Sequence, residues 1–149
     1  MMSIFSANYI LNKNQTEGGR LEHIALLSLL KEARLAFLKS HQMTEDCIVP
    51  GIGFVIGDLS VRYIAAAYAG DNVKVLLNIS EVSEKRCTLL YQVTKESKNE
   101  LIAAAKTTII FFDIAANKSA KIPTKFLEIT GVIQGNQEAA ENSKKVSRL

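Results

Sequence analysis

From Arg20 to Lys39 the sequence places apolar residues at almost every angle of a 3.6-residue period. Ile24, Leu27, Leu30 and Leu38, with Ala25, Leu26, Leu29, Ala33 and Phe37, leave only a narrow polar stripe of Ser28, Lys31 and Glu32. A helix that is apolar nearly all round belongs inside a protein, because a surface helix keeps one polar face. It must be wrapped by a curling sheet, or held between a sheet and a partner subunit. The same stretch is broken by Ser28, Lys31, Glu32 and Arg34. No apolar run reaches the roughly 18 residues of a membrane span, so a membrane-spanning protein is not expected.

Around this helix the pattern has period two. Ile4 to Leu11 reads as a first strand and Asn12 to Gly19 as a polar loop ending in a glycine pair. His41 to Gly53 reads as loop. Beyond it Leu59, Val61 and Tyr63 alternate with Ser60 and Arg62, then Val73, Val75, Leu77 and Ile79 with Lys74 and Asn78, then Cys87, Leu89, Tyr91 and Val93 with Thr88 and Gln92. Leu101 to Phe112 is a long, mostly apolar strand. The connections at Tyr68–Asn72, Glu84–Arg86 and Lys95–Asn99 are too short for helical crossovers and require antiparallel hairpins. The expected order is therefore strand, long buried helix, then a four-stranded meander, an α+β arrangement. Phe126, Leu127 and Ile129 suit a last short docked segment after Pro123.

The length of 149 residues fits one domain, assigned to 1–133, with a polar and mobile C-terminal tail at 134–149. With 48% hydrophobic residues the chain has enough apolar material for a core. A formal charge of +3, with no basic run interleaved with aromatics, argues against a nucleic-acid partner. Cys47 and Cys87 are isolated, so both thiols are expected to be free in a reducing, cytoplasmic setting. The N-terminus lacks the basic-then-apolar pattern of a signal peptide.

Several chemical motifs fall away on inspection. The run from Gly51 to Gly57 is spaced G-x-G-x-x-x-G and precedes a strand, whereas a phosphate loop follows a strand and opens a helix. It reads as a loop entering a bulged strand. His23 and His41 are the only histidines and no ligand set completes a metal site around either, so neither a metal nor another cofactor is expected. No G-x-S-x-G elbow is present.

The informative stretch is Asn14-Gln-Thr-Glu-Gly-Gly-Arg-Leu-Glu-His23. Gly18 and Gly19 precede the helix, where unpaired backbone N–H groups can polarise a carbonyl, and glycine lets a ligand come close. His23 in the first turn, beside Glu22, suits a base or donor. A plain loop and an ordinary capping or surface histidine would look the same.

Further residues carry a family resemblance. Leu26-Leu-Ser-Leu-Leu-Lys-Glu-Ala-Arg34, Val61-Arg-Tyr63, Ala67-Tyr-Ala-Gly-Asp71, Ala103 to Phe112 and Lys121-Ile-Pro123 follow one another in the manner of the hotdog-fold acyl-CoA thioesterases. The chain from Phe5 to about Leu127 resembles their 4-hydroxybenzoyl-CoA thioesterase-like branch. The resemblance implies a hotdog fold, a curved antiparallel sheet of about five strands around one long helix. It further implies hydrolysis of a coenzyme A thioester and a homodimer or homotetramer with the acyl site between subunits. His23 matches the family histidine, and Gly18-Gly19 match the glycines beside the thioester carbonyl. The family's catalytic Asp falls on Thr16, and its earlier Asp on Asn14.

A threonine can position water but not act as the carboxylate base. Glu17, Glu22 and Glu32 are the substitutes at hand, Glu17 being preferred. Glu32 lies nine residues after His23, about 13 Å along the helix and on its other side. The expected catalytic set is Thr16, Glu17 and His23. Arg62, Lys74, Arg86 and Lys106 are candidates for the phosphates of coenzyme A. The alternative is an attenuated protein that binds acyl-CoA or acyl carrier protein without cleaving it.

Overall fold

The computed structural model describes residues 3–133; the tail assigned to 134–149 lies outside the described residues. The elements run β1 (Phe5–Ile10), a single 3-10 turn (Lys13–Gln15), β2 (Thr16–Glu17), β3 (Arg20–Leu21), α1 (His23–Ser40), β4 (Ile52–Tyr63), β5 (Asn72–Ser80), β6 (Arg86–Lys95), β7 (Glu100–Asp113), β8 (Lys118–Ser119) and α2 (Thr124–Ile129). Strands β1, β5, β6, β7 and β4 form one antiparallel sheet in that order, and β8 adds to β7. The helix, the meander and the docked segment at 126–129 are thus where the hydrophobic period puts them.

Two boundaries differ from the sequence reading. The helix starts at His23, not Arg20. Gly18 and Gly19 both take positive φ, at 61° and 83°, and close a two-residue hairpin that turns Arg20 and Leu21 into strand β3. The strand after the loop starts at Ile52, so Gly53 and Gly57 lie inside β4, with its register shift between Ile56 and Asp58.

One face of α1 makes the core. Leu26, Leu29, Leu30, Ala33, Phe37 and Leu38 are buried against Val73, Val75, Leu77, Leu89, Tyr91, Val93, Ile109 and Phe111 of the sheet. The sheet does not close round the helix on every side. Ile24 is 62% exposed and Leu35 37%, so in the single chain the helix is wrapped along one face only. The edge strand β4 is equally bare, with Val55, Ile56, Leu59 and Tyr63 between 41% and 56% exposed.

Arg34, which interrupts the apolar helix in sequence, is also buried. Its guanidinium donates to Glu45 through Nε and to the Tyr91 hydroxyl at 3.2 Å, and that hydroxyl pairs with Thr107 Oγ1 at 2.9 Å. Burial works against the charge, but Tyr91 and Glu45 more than offset it and hold the guanidinium above its ordinary pKa. The helix is thereby tied to β6 and β7 through a satisfied polar network.

Gly53 has a steric role. A Cβ there would sit 2.6 Å from the Glu45 carbonyl oxygen and 2.9 Å from the Asp46 backbone. Gly53→Ala is expected to cost about 1–3 kcal/mol, read as a lower urea midpoint, because backbone cannot give way as a side chain can.

Cys47 is exposed and Cys87 buried, and both are free. Burial pushes the Cys87 thiol up to about 12, leaving almost no thiolate near neutrality. Iodoacetamide at pH 8 should modify Cys47 alone in the native protein and both cysteines in urea, counted by intact mass.

Candidate functional site

A cleft of about 680 Å³ opens where the β2–β3 hairpin, the start of α1 and the segment after β4 meet. Leu21 N–H donates to the Ala67 carbonyl at 2.7 Å, and Arg20 bridges to Tyr68, which pins the hairpin over the 64–68 segment. That segment is fixed in turn. Ile64 and Ala65 donate to the Ile102 carbonyl at 2.8 and 3.1 Å, and the Asp71 carboxylate accepts from Tyr68 N–H at 2.8 Å.

The cleft has a polar rim and an apolar floor. Glu17, Arg20, Glu22 and His23 supply the rim; Leu21, Leu26, Ile64 and Ile102, with Ala65 to Ala67, supply the floor. Leu26 and Ile102 are buried, and the alanines keep the walls low. A ligand with one apolar end and a polar reacting centre suits such a space.

Of the residues singled out in the sequence, Glu17 and His23 line this cleft; Thr16, Gly18 and Gly19 do not. The Thr16 hydroxyl donates to the Lys13 carbonyl at 2.9 Å, closing the 3-10 turn. Gly18 and Gly19 form the exposed tip of the hairpin, not the helix start.

The helix start itself is occupied. Glu22 is its N-cap, and its carboxylate accepts from Ile24 N–H at 3.1 Å and Ala25 N–H at 3.2 Å. Two of the donors expected to be open there, Ile24 and Ala25 N–H, are therefore already taken by the chain's own side chain. The same carboxylate lies 3.0 Å from His23 Nδ1, while the His23 side chain stays 68% exposed.

Glu32 is remote from the cleft. Burial, and then the Glu32 carboxylate, raise the pKa of the Tyr9 hydroxyl, which puts Glu32 on the β1 flank of α1.

Arg62, Lys74, Arg86 and Lys106 share the outer face of the sheet. Arg62 pairs with Ala104 and Lys106 with Ser60 and Leu90, on rungs that alternate with the core-facing Val61, Ala105 and Tyr91. Lys74 alternates with buried Val73 and Val75, and Arg86 precedes buried Cys87. None of the four lines the cleft; among the described residues its one Lys or Arg is Arg20, which the sequence reading passed over. Its signal was its place directly after the glycine pair. Among the described residues no group of three metal-binding side chains converges, and no described helix is long and apolar enough to cross a membrane.

The family model described as the thioesterase-like superfamily matches residues 15–130. The chain belongs to the thioesterase-like superfamily. Its hotdog fold is shared with solved structures. A 1,4-dihydroxy-2-naphthoyl-CoA thioesterase from Synechocystis superposes with a TM-score of 0.77 at 21% identity, over 89% of this chain and 98% of that one. A hypothetical protein from Aquifex aeolicus gives 0.74 at 25% identity, over 85% and 98%. A Staphylococcus aureus protein solved in complex with CoA gives 0.77 at 16% identity, over 88% and 84%. No curated protein matches the chain. In this member of the thioesterase-like superfamily, hairpin, helix start and post-β4 segment build the cleft entirely within the matched region.

Proposed function

We propose that this member of the thioesterase-like superfamily hydrolyses acyl-coenzyme A thioesters in the cleft between the hairpin and the start of α1. One observation carries the reading: a cleft with an apolar floor, from Leu26 to Ile102, brings Glu17 and His23 to its rim in a chain of this superfamily. The acyl group lies on the floor and the thioester at the rim. Water oxygen bonds to the acyl carbon as its proton passes to His23 Nε2. The tetrahedral adduct then expels the thiolate, which takes that proton, leaving a carboxylic acid and a thiol. Glu17 is the second candidate for taking the water proton. Arg20 meets the phosphates of coenzyme A at the cleft mouth, with Arg62, beside the cleft-lining Tyr63, next along β4. Release of free thiol from a panel of short, long and aromatic acyl-CoAs tests the reading, and no turnover across the panel sinks it.

Thr16 favours a second reading. It occupies the position where the family carries its catalytic Asp, and its hydroxyl is committed to Lys13. A protein that binds acyl-CoA or acyl carrier protein without cleavage would give a calorimetric signal and release no thiol.

The assembly in this reading is a homodimer, or a tetramer built from dimers. Strand β4 is a long edge whose apolar side chains are bare, and a second copy pairing antiparallel with it would satisfy the edge and cover them. Sedimentation should give a dimer mass or a multiple of it, and Leu59→Glu should shift the protein toward monomer. A monomer at micromolar concentration removes the shared-edge assembly. The free thiols support a reducing, cytoplasmic setting for this activity.

A further inference from the structure

Glu22 sits at the junction of two roles. N-caps are usually short: Ser, Thr, Asp and Asn reach the first amides with few rotatable bonds to freeze. Here a longer glutamate does the work, its two oxygens accepting from Ile24 and Ala25 N–H. Its own backbone is tied on both sides, with Glu22 N–H donating to the Gln15 carbonyl at 2.9 Å and Leu26 N–H donating to the Glu22 carbonyl at 3.0 Å. The carboxylate is consequently held in place, mostly shielded at 22% exposure, and its Oε1 lies 3.0 Å from His23 Nδ1. A group so engaged is badly placed to attack a thioester. It is well placed to act on the imidazole beside it.

We infer that Glu22 is a positioning residue for His23, its carboxylate locked on the first amides of α1 so that His23 keeps its proton on Nδ1 and presents a bare Nε2 to water. The inference rests on the reading of His23 as the base. The physical reason is the coupling between the two ring nitrogens: an anion beside one nitrogen favours the tautomer protonated there, which leaves the other as acceptor. Anchoring the carboxylate on helix amides removes the freedom it would otherwise need to lose during reaction. The arrangement supplies what the absent Asp cannot, a fixed negative charge in the cleft that works through the histidine and not on water directly. The charged cap is then explained, since a serine or asparagine would cap the helix equally well and would not bring a charge to Nδ1.

Glu22→Ser separates the two roles. Serine is a preferred N-cap, so the helix content and melting temperature should be unchanged. The ¹⁵N resonances of the neutral imidazole should show mainly the Nδ1–H form in the native sequence and a move toward Nε2–H in the variant. Thiol release should fall about tenfold in kcat with KM within about twofold, a fraction of what a general base supplies. Should the serine variant fail to fold, Glu22→Asn keeps a strong cap and gives the same reading. The tautomer is read without substrate, so it stands even if the protein turns over no acyl-CoA. An unchanged tautomer overturns the positioning role, and a changed tautomer with unchanged kcat in an active protein overturns its part in catalysis.

Discussion

Phe37→Ala should lower the stability of the protein by about 3–5 kcal/mol, the largest structural loss available from one helix residue. The ring is fully buried in the C-terminal half of α1. It packs on Phe5 of β1 at a centroid distance of 5.7 Å and on His41, just past the helix end, at 5.3 Å. Truncation removes these contacts and leaves a cavity between helix and edge strand, which rigid sheet backbone cannot collapse to fill. A domain of this size has about 5–15 kcal/mol in all, so the variant should melt roughly 10 °C lower and unfold at a clearly lower urea midpoint. Lys39→Ala, an exposed change two residues on, is the control and should stay within about 0.5 kcal/mol. A Phe37→Ala midpoint indistinguishable from the control would mean that α1 is not seated on β1 as described.

Such a residue is easy to find in the sequence because the hydrophobic period is strong. The long helix and the four-stranded meander are legible for the same reason: Val73, Val75 and Leu77, and then Leu89, Tyr91 and Val93, name the core face of each strand directly. The helix start is less legible. Apolar Leu21 extends the helical pattern backward, while the left-handed Gly18 and Gly19 turn that residue into strand, and local turn chemistry wins. Arg34 reads as a polar interruption because its partners, Glu45, Tyr91 and Thr107, lie far along the chain. The cleft is hidden for the same reason, since its floor joins Leu26 to Ile64 and Ile102. The outer-face placement of Arg62 and Lys74 was available in the sequence. Period two already set them opposite the apolar positions. Glu22 was visible as a carboxylate, but its double engagement with the helix amides and His23 depends on side-chain geometry alone.

His23→Ala should reduce kcat for acyl-CoA hydrolysis by about 10²- to 10⁴-fold, the range for loss of a general base. On the proposed reading Thr16 stands at the family's Asp position, and with its hydroxyl turned to the Lys13 carbonyl, water activation is assigned to groups on the cleft rim. His23 is one of these, beside a fixed carboxylate and open to solvent through most of its side chain. Because the ring is exposed, its removal should leave the melting temperature nearly unchanged, which separates a chemical effect from a folding one. KM should move only a few-fold, since the proposed reading seats the acyl group on the apolar floor of Leu21, Leu26 and Ile102, away from the base. Glu17→Ala is the informative comparison. Glu17 is exposed on the hairpin, opposite Arg20 across the strand pair, and its loss should cost about tenfold or less if His23 takes the proton. The reverse pattern, with His23→Ala active and Glu17→Ala inactive, would assign the base to Glu17 and leave His23 as a carbonyl donor. Equal full activity in both variants would remove the chemistry from this rim.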